Sequence, residues 1–572
     1  MINFFRNTAI VALILALSGS LLNGQSVKLF SPLGLSPAIS GSFGEIRTDH
    51  FHSGVDFRTN GKTDYKVYAS EDGFISRIKV SSVGFGKTIY IEHPNGLTTV
   101  YAHLGRFSDK IARIVEKEQY QKNSFEVELF PSRDEIEIKK GEVIAFSGNS
   151  GSSGGPHLHY EIRHTSSQIP ISPLNYFDNW TNADNSAPTI NKIYLYQIDS
   201  IGYMTDSLSR QSLNFNKNRS FCSITDTISA FGLIGLGIES YDYVNEQSNR
   251  CGFERVSLFI NEQNIYSLNI DSFAFAETKY ANSIIDYYTK ITRNEEIVKL
   301  WVDDNNKFSG LKYNKSKGFI SIEDGKIYNF VIEIEDFAGN KTIAKGTIKG
   351  RSYKENKSIS TRLKNAEILD YTKEHKISTE KYEIFIPKNA LYHDITFSHS
   401  IDSLSSNHYC IYKINTPKVP IHKKYTLVVK RPNVSKNLLA KTYIGYINGK
   451  GIEFCESKIT DEGIEATCSK FGNYTVVVDT LYPRIIPLNL SEKSKLSPEN
   501  IIKFKLSDDS GISTYNGYVD GNWVLFEWDP KSNLLTHTID KQRIAQGTWH
   551  KLMLEVTDKL NNKAKYSCEF FW

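Results

Sequence analysis

The run Gly155-Pro156-His157-Leu158-His159-Tyr160-Glu161-Ile162-Arg163 alternates strictly from His157 onward. Alternation with a period of two marks an extended strand with two unlike faces. Leu158, Tyr160 and Ile162 share one face and predict a core beneath it. His157, His159, Glu161 and Arg163 share the other. Two imidazoles two residues apart on a strand point the same way. One can bind a metal while its neighbour reaches whatever the metal holds. Alone, the strand fits an idle polar surface equally well, so the rest of the chain has to decide.

Strands are expected on all sides of it. Short apolar runs stand at Val55 to Phe57, Lys66 to Ala69, Gly73 to Val80, Lys87 to His93, Leu97 to Leu104 and Glu142 to Ser147. Turn signals such as Asp72-Gly73, Pro94-Asn95-Gly96 and Lys140-Gly141 separate them. One segment breaks the pattern. Ile111, Ile114 and Val115 recur at helical spacing between Asp109 and Asn123, which predicts an amphipathic helix inserted at the surface. Tyr and Phe number 32 each against 3 Met, a bias that also favours sheet.

At 572 residues the chain exceeds one core and predicts several domains. Its net charge of +4 is small, and no basic run is long enough to follow a phosphate backbone, so no nucleic-acid partner is expected. Residues 1–24 have the layout of a secretory signal peptide. Arg6 precedes the apolar stretch Ala9 to Leu17, and small or polar residues follow. The protein is therefore expected to be exported, to the periplasm, the cell envelope or the outside. No later stretch is apolar and long enough to span a bilayer, so no span is expected in the mature chain. All six cysteines follow residue 200 and none has CxxC spacing. Export would allow disulfides, with Cys455–Cys468 and Cys222–Cys251 as local candidates.

Of the 14 histidines, seven lie between His50 and His164. In His52-Ser53-Gly54-Val55-Asp56, parity puts His52 and Asp56 on one side of a strand whose other side carries Val55 and Phe57. Residues four apart on a straight strand are ~13 Å apart, too far to share one ion, so a bend at Gly54 is required. His50 has the same parity as His52, and spacing does not choose between them. In Thr99-Val100-Tyr101-Ala102-His103-Leu104, alternation assigns Val100, Ala102 and Leu104 to the core and Tyr101 and His103 to the polar face. The Gly- and Ser-rich loop from Gly148 to Gly155 predicts close approach of a substrate backbone. One Asp and two His on a tetrahedral zinc would leave a fourth position open for water, as hydrolysis requires.

The stretch from Phe43 to about Phe177 resembles the M23 zinc metallopeptidases, the lysostaphin and LytM-type cell-wall endopeptidases. The matching stretches are Phe43-Gly44-Glu45, His52-Ser-Gly-Val-Asp56, Tyr68-Ala69 with Asp72-Gly73, Tyr101-Ala-His103-Leu104, Gly148-Asn-Ser-Gly151 and Gly155-Pro-His-Leu-His-Tyr-Glu161. The resemblance implies that His52, Asp56 and His159 bind Zn²⁺. It implies that His103 and His157 stand beside the activated water and the scissile carbonyl. It also implies an antiparallel β fold and hydrolysis of peptidoglycan stem or cross-link peptides by zinc-activated water. Some members of that family have lost ligands and activate other hydrolases; here all five positions are filled. The segment at about 109–137 is longer than the family's usual link, which bears on substrate range. Glu161 is expected on the polar face, as a partner for a ligand histidine or as a plain surface carboxylate.

Beyond a linker at 181–186 the texture changes. Glu333 to Lys341 resembles Glu555 to Lys563: each is a strand, then an Asp-led turn, then a strand. Both look like the last hairpin of a bacterial immunoglobulin-like sandwich. The expected fold class is all-β, an antiparallel LytM-type peptidase domain followed by immunoglobulin-like β-sandwich modules. The expected divisions are a peptidase domain at 26–180, sandwiches at 187–350 and 481–572, and a β-rich module of unassigned type at 377–480. No ligand is assigned to the tail. The alternative function is a zinc-binding, non-catalytic activator or scaffold for other wall hydrolases.

Overall fold

The computed structural model describes residues 28–34, 38–47, 49–177, 184–198, 203, 208–243, 250–352, 367–403, 410–496 and 500–572. The expected signal peptide lies outside the described residues, as does 181–183 of the linker. Among the described residues no helix is long and apolar enough to cross a membrane.

Strands dominate throughout, as composition and alternation predict. One antiparallel sheet organises the N-terminal domain. Its order is Ile39–Gly41, Val55–Arg58, His157–His164, Leu97–Phe107, Lys87–Glu92, Gly73–Val80, Glu137–Ile138. The alternating strand His157–His164 thus lies between Val55–Arg58 and Leu97–Phe107. Leu158, Tyr160 and Ile162 are fully buried. Tyr160 packs edge-on against Tyr101 at 5.3 Å and Phe57 at 5.8 Å. An aromatic side chain buries ~150–250 Å², and a fully buried one contributes about 1.5–3 kcal/mol.

The predicted insert forms the helix Asp109–Lys122, ended by Asn123 in the left-handed conformation. It is more than a surface decoration. Ile111, Val115, Phe125, Val127 and Ile136 all belong to the domain's core.

The region after the linker also packs more tightly than a string of beads would. Its strands form two sheets, one around Thr189–Gln197 and Gly232–Tyr241, the other around Ile327–Glu335 and Lys341–Gly350. Their apolar side chains join the core of the N-terminal domain in one cluster running from Leu29 to Ile348. Phe273 packs on Phe43 and on Phe51, each at 5.3 Å, and Phe308 on Phe51 at 4.8 Å. These contacts grip the segment that leads into His52. The later strands, 367–478 and 484–571, have separate cores. The last one returns to the N-terminal domain. Glu527 pairs with Lys87 at 2.9 Å, Trp523 meets Tyr120 of the inserted helix at 5.3 Å, and Lys531 Nζ donates to the Asn149 carbonyl. Cys222, Cys455 and Cys468 are free thiols, so neither candidate disulfide is formed.

Candidate metal centre

Strand register builds the site. In the sheet, His159 lies directly opposite Asp56 on one side and Ala102 on the other. Residues directly opposite in an antiparallel pair share a face, so Asp56 and His159 meet. His52 arrives from the segment before Val55–Arg58. The chain bends there, as expected, and an added Cβ at Gly54 would stand 2.3 Å from the Tyr160 carbonyl oxygen. Only glycine lets the chain pass this close to the central strand. His50 is exposed and does not belong to the cluster.

Three donor atoms converge. His52 Nε2, His159 Nδ1 and Asp56 Oδ1 lie 2.9–3.0 Å from one another. A tetrahedral zinc with bonds of about 2.0–2.1 Å spaces its ligands by about 3.3–3.4 Å, so a small adjustment seats the ion. The outer nitrogens fix the tautomers. His52 Nδ1 lies 2.7 Å from the Ser42 carbonyl oxygen and donates to it. His159 Nε2 lies 3.1 Å from Glu161 Oε1 and donates to it. Both inner nitrogens therefore present lone pairs toward a carboxylate oxygen, an arrangement that calls for a proton or a cation at its centre. Although burial opposes it, the carboxylates of Asp56 and Glu161 hold the His159 imidazole up at about 9. A metal ion would displace that proton. Burial works to raise Asp56, yet His52, His157 and His159 hold it well below the carboxylate range.

Glu161 is buried against His159 and is not a surface carboxylate. It is fully buried, and it accepts from Ser53 Oγ and from Arg163 Nε at 2.6 Å. Burial works to raise its pKa, but the Arg163 charge and the His159 bond hold it at about 2. Arg47 pins the far oxygen of Asp56, Oδ2, at 2.6 Å. That leaves Oδ1 for the site. Sequence reasoning missed Ser42 and Ser53, which lie in irregular segments, and Arg47, which ends the two-residue strand Ile46–Arg47, too short for parity to read. Their one signal was proximity to Phe43-Gly44-Glu45 and His52.

His103 reaches the site by a route alternation does not predict. Tyr101 lies opposite Tyr160 and belongs to the core, whereas Ala102 lies opposite His159. The expected assignment of Ala102 to the core face and Tyr101 to the polar face is therefore reversed. Parity continued from Tyr101 would send His103 into the core as well. Instead His103 has φ of 56° and sits where the pairing of its strand slips register. The bulge turns its ring to the site, 4.9 Å from His157 and 5.8 Å from His159. His103 Nδ1 donates to the Ser150 carbonyl at 2.9 Å, and His157 Nδ1 to the Gly155 carbonyl at 2.8 Å. Each ring thus keeps Nε2 as a lone pair. Burial first, then the charges of His159 and His157, push His103 down to about 3, so it is neutral at ordinary pH. The five predicted site residues are all brought together.

The glycine loop is explained in part by the protein's own backbone. A Cβ at Gly148 would stand 2.2 Å from Gly105 N, and one at Gly151 would stand 2.3 Å from the Gly84 carbonyl. Gly154 and Gly155, by contrast, have open space around them.

Residues 50–120 match peptidase family M23, and residues 366–479 match the Zu5-like domain. The chain is 35% identical over 143 residues to the DD-carboxypeptidase/endopeptidase Mpg of Neisseria meningitidis, covering 25% of this chain and 27% of that one. It is 31% identical over 111 residues to the peptidoglycan DD-endopeptidase ShyA of Vibrio cholerae, covering 19% and 20%. The chain therefore spans about a quarter of the length of these curated relatives. Among solved structures, the catalytic domain of the antimicrobial peptidase lysostaphin from Staphylococcus simulans is 22% identical, with a TM-score of 0.19, covering 24% of this chain and 91% of that one. The family match falls on the segment that carries His52, Asp56 and His103, so this stretch of the N-terminal domain is similar to peptidase family M23.

Proposed function

We propose that the chain is an exported zinc metalloendopeptidase that hydrolyses peptide cross-links of peptidoglycan in the cell envelope. One observation carries the reading: two imidazole lone pairs and a carboxylate oxygen converge, with their tautomers fixed from behind. The relatives named as endopeptidases supply the substrate class.

His52, Asp56 and His159 would hold the ion. Bound zinc would supply Lewis acidity, lowering the pKa of a water and polarising the scissile carbonyl. The protein's own residues do the rest. Glu161 and the Ser42 carbonyl hold the ligand rings in one tautomer. Arg47 leaves Asp56 one oxygen to offer. His103 and His157, each with Nε2 free of the loop carbonyls, take up the proton released on attack and deliver it to the departing amine. The open space at Gly154 and Gly155 gives a peptide strand room to lie beside His157.

The test uses purified protein on cross-linked peptidoglycan, with and without chelator, beside His159→Ala. New peptide amino termini should appear only with the intact, zinc-loaded protein. If no wall type yields them, the enzyme reading fails. Wall binding without cleavage would then point to the scaffold role.

A further inference from the structure

Two aspartate groups share no residue with the candidate metal centre and occupy equivalent places in two different modules. Asp184, Asp242 and Asp336 form one; Asp479, Asp508 and Asp558 form the other. In each group, one carboxylate oxygen from every member lies within 4.8 Å of the other two. Asp184 and Asp479 each stand four residues before a proline, Pro188 and Pro483, just ahead of their module's first strand. Asp242 and Asp508 directly follow the strands Gly232–Tyr241 and Ile501–Ser507, which pair with those first strands. Asp336 and Asp558 open the turn of the last hairpin.

The hydrogen bonds repeat too. Asn340 Nδ2 donates to the Asp184 carbonyl at 3.0 Å and to Asp336 Oδ2 at 2.9 Å. Asn562 Nδ2 donates to the Asp479 carbonyl at 3.1 Å and to Asp558 Oδ2 at 2.7 Å. Asp184 Oδ1 accepts from Ser186 N at 3.1 Å, and Asp479 Oδ1 from Leu481 N at 3.0 Å. Two independent stretches of sequence have therefore built one cradle.

In both cradles a buried oxygen is left over. Asp242 is 2% exposed and Asp479 is 4% exposed, yet Asp242 Oδ1 and Asp479 Oδ2 have no hydrogen-bond partner. A buried carboxylate oxygen without a partner, packed beside two more carboxylates, is costly on desolvation and on repulsion alike. Burial, then the charges of Asp336 and Asp184, push the Asp242 carboxyl up to about 8. A cation removes both costs.

We propose that each aspartate group binds one calcium ion and ties the incoming chain to its sandwich. The donors are all oxygens, with no imidazole or thiolate, which selects a hard cation. Magnesium keeps most of its waters and binds through one or two carboxylates, whereas three carboxylates suit calcium's larger, more flexible shell. The first member of each group lies on the segment arriving from the preceding domain. The second follows an inner strand, and the third lies in the last turn. One ion therefore joins three parts of each module and stiffens the junction before it.

The test uses the full, zinc-loaded chain in calcium-free buffer, titrated calorimetrically with CaCl2 and melted with and without it. Wild type should bind two Ca²⁺, and Asp242→Asn and Asp479→Asn one each. The double variant should bind none. Calcium in about 100-fold excess over Kd should raise the wild-type Tm by about 5 °C. The Asn variants keep the shape and lose a charge, so they should melt no lower than wild type without calcium. Terbium luminescence of the wild type reports occupancy independently of the variants' folding. No saturable calcium binding up to millimolar concentration, an unchanged stoichiometry in the double variant, or an equal response to Mg²⁺ would overturn the proposal.

Discussion

Each of the four site histidines has one nitrogen committed to a fixed acceptor, and which nitrogen is committed sets which one is left for the site. His159 and His157 share a strand face, yet their partners differ. His159 gives Nε2–H to Glu161 and turns Nδ1 inward, whereas His157 gives Nδ1–H to the Gly155 carbonyl and keeps Nε2. His159→Ala should therefore lose zinc and activity together. His157→Ala should keep zinc and lose about 10²–10⁴-fold in activity. Metal analysis beside peptide release separates the two. Glu161→Ala should weaken zinc binding about 10–100-fold, because outer partners orient the ligand. It also strands the buried Arg163. Glu161→Gln still accepts from His159 and should lose less. A chelator competition that finds Glu161→Ala equal to wild type would remove Glu161 from the positioning role. Parity put His157 and His159 on one face and Asp56 on the side opposite Val55 and Phe57, and the resemblance to the M23 peptidases supplied their expected roles. Parity did not separate His52 from His50, because the choice depends on a bend and on the Ser42 carbonyl. Arg47 was not legible either, since it ends a two-residue strand, Ile46–Arg47, and its contact with Asp56 is a tertiary one.

Among the elements, regular strands were the readable part. Six short strands and one inserted helix were marked by alternation, turn residues and helical spacing. The departures from regularity were not readable, and they carry much of the site. His103 faces the centre only because a bulge reverses the parity its neighbours obey. Gly54 was flagged as a bend, but the reason for glycine lies in tertiary packing. Gly54→Ala would press a Cβ to 2.3 Å from the Tyr160 carbonyl and 2.9 Å from Glu161 Cγ. The central strand must then shift, at a cost of about 1–3 kcal/mol, and the register of Asp56 with His159 shifts with it. A urea melt should show the loss, and zinc content should fall in parallel. Gly155→Ala is the control. Nothing stands within 4 Å of its added Cβ, so stability should stay within about 0.5 kcal/mol. Equal damage from both substitutions would mean that close packing at Gly54 is not what requires glycine.

At the scale of the whole molecule, the sequence suggested modules joined by linkers, and the packing shows why that is incomplete. Composition shifts mark where a chain changes texture, but they carry no record of which apolar faces meet. Phe43 and Phe51 flank the segment that supplies Ser42 and leads to His52, and their rings are covered by Phe273 and Phe308 of the following region. Gly252 N adds a hydrogen bond to Ser42 Oγ at 2.9 Å. The region after the linker thus braces the segment that supplies His52 from behind. A fragment of residues 26–350 keeps this brace, whereas one of residues 26–180 exposes both phenylalanines. Each such side chain contributes about 1.5–3 kcal/mol when buried. The shorter fragment should accordingly melt lower and hold zinc at least tenfold more weakly. The longer one should match the full chain in zinc affinity. Melting curves and zinc competition on the two fragments make the comparison. If the 26–180 fragment holds zinc as tightly as 26–350, the peptidase domain positions His52 unaided, and the shared core serves stability alone.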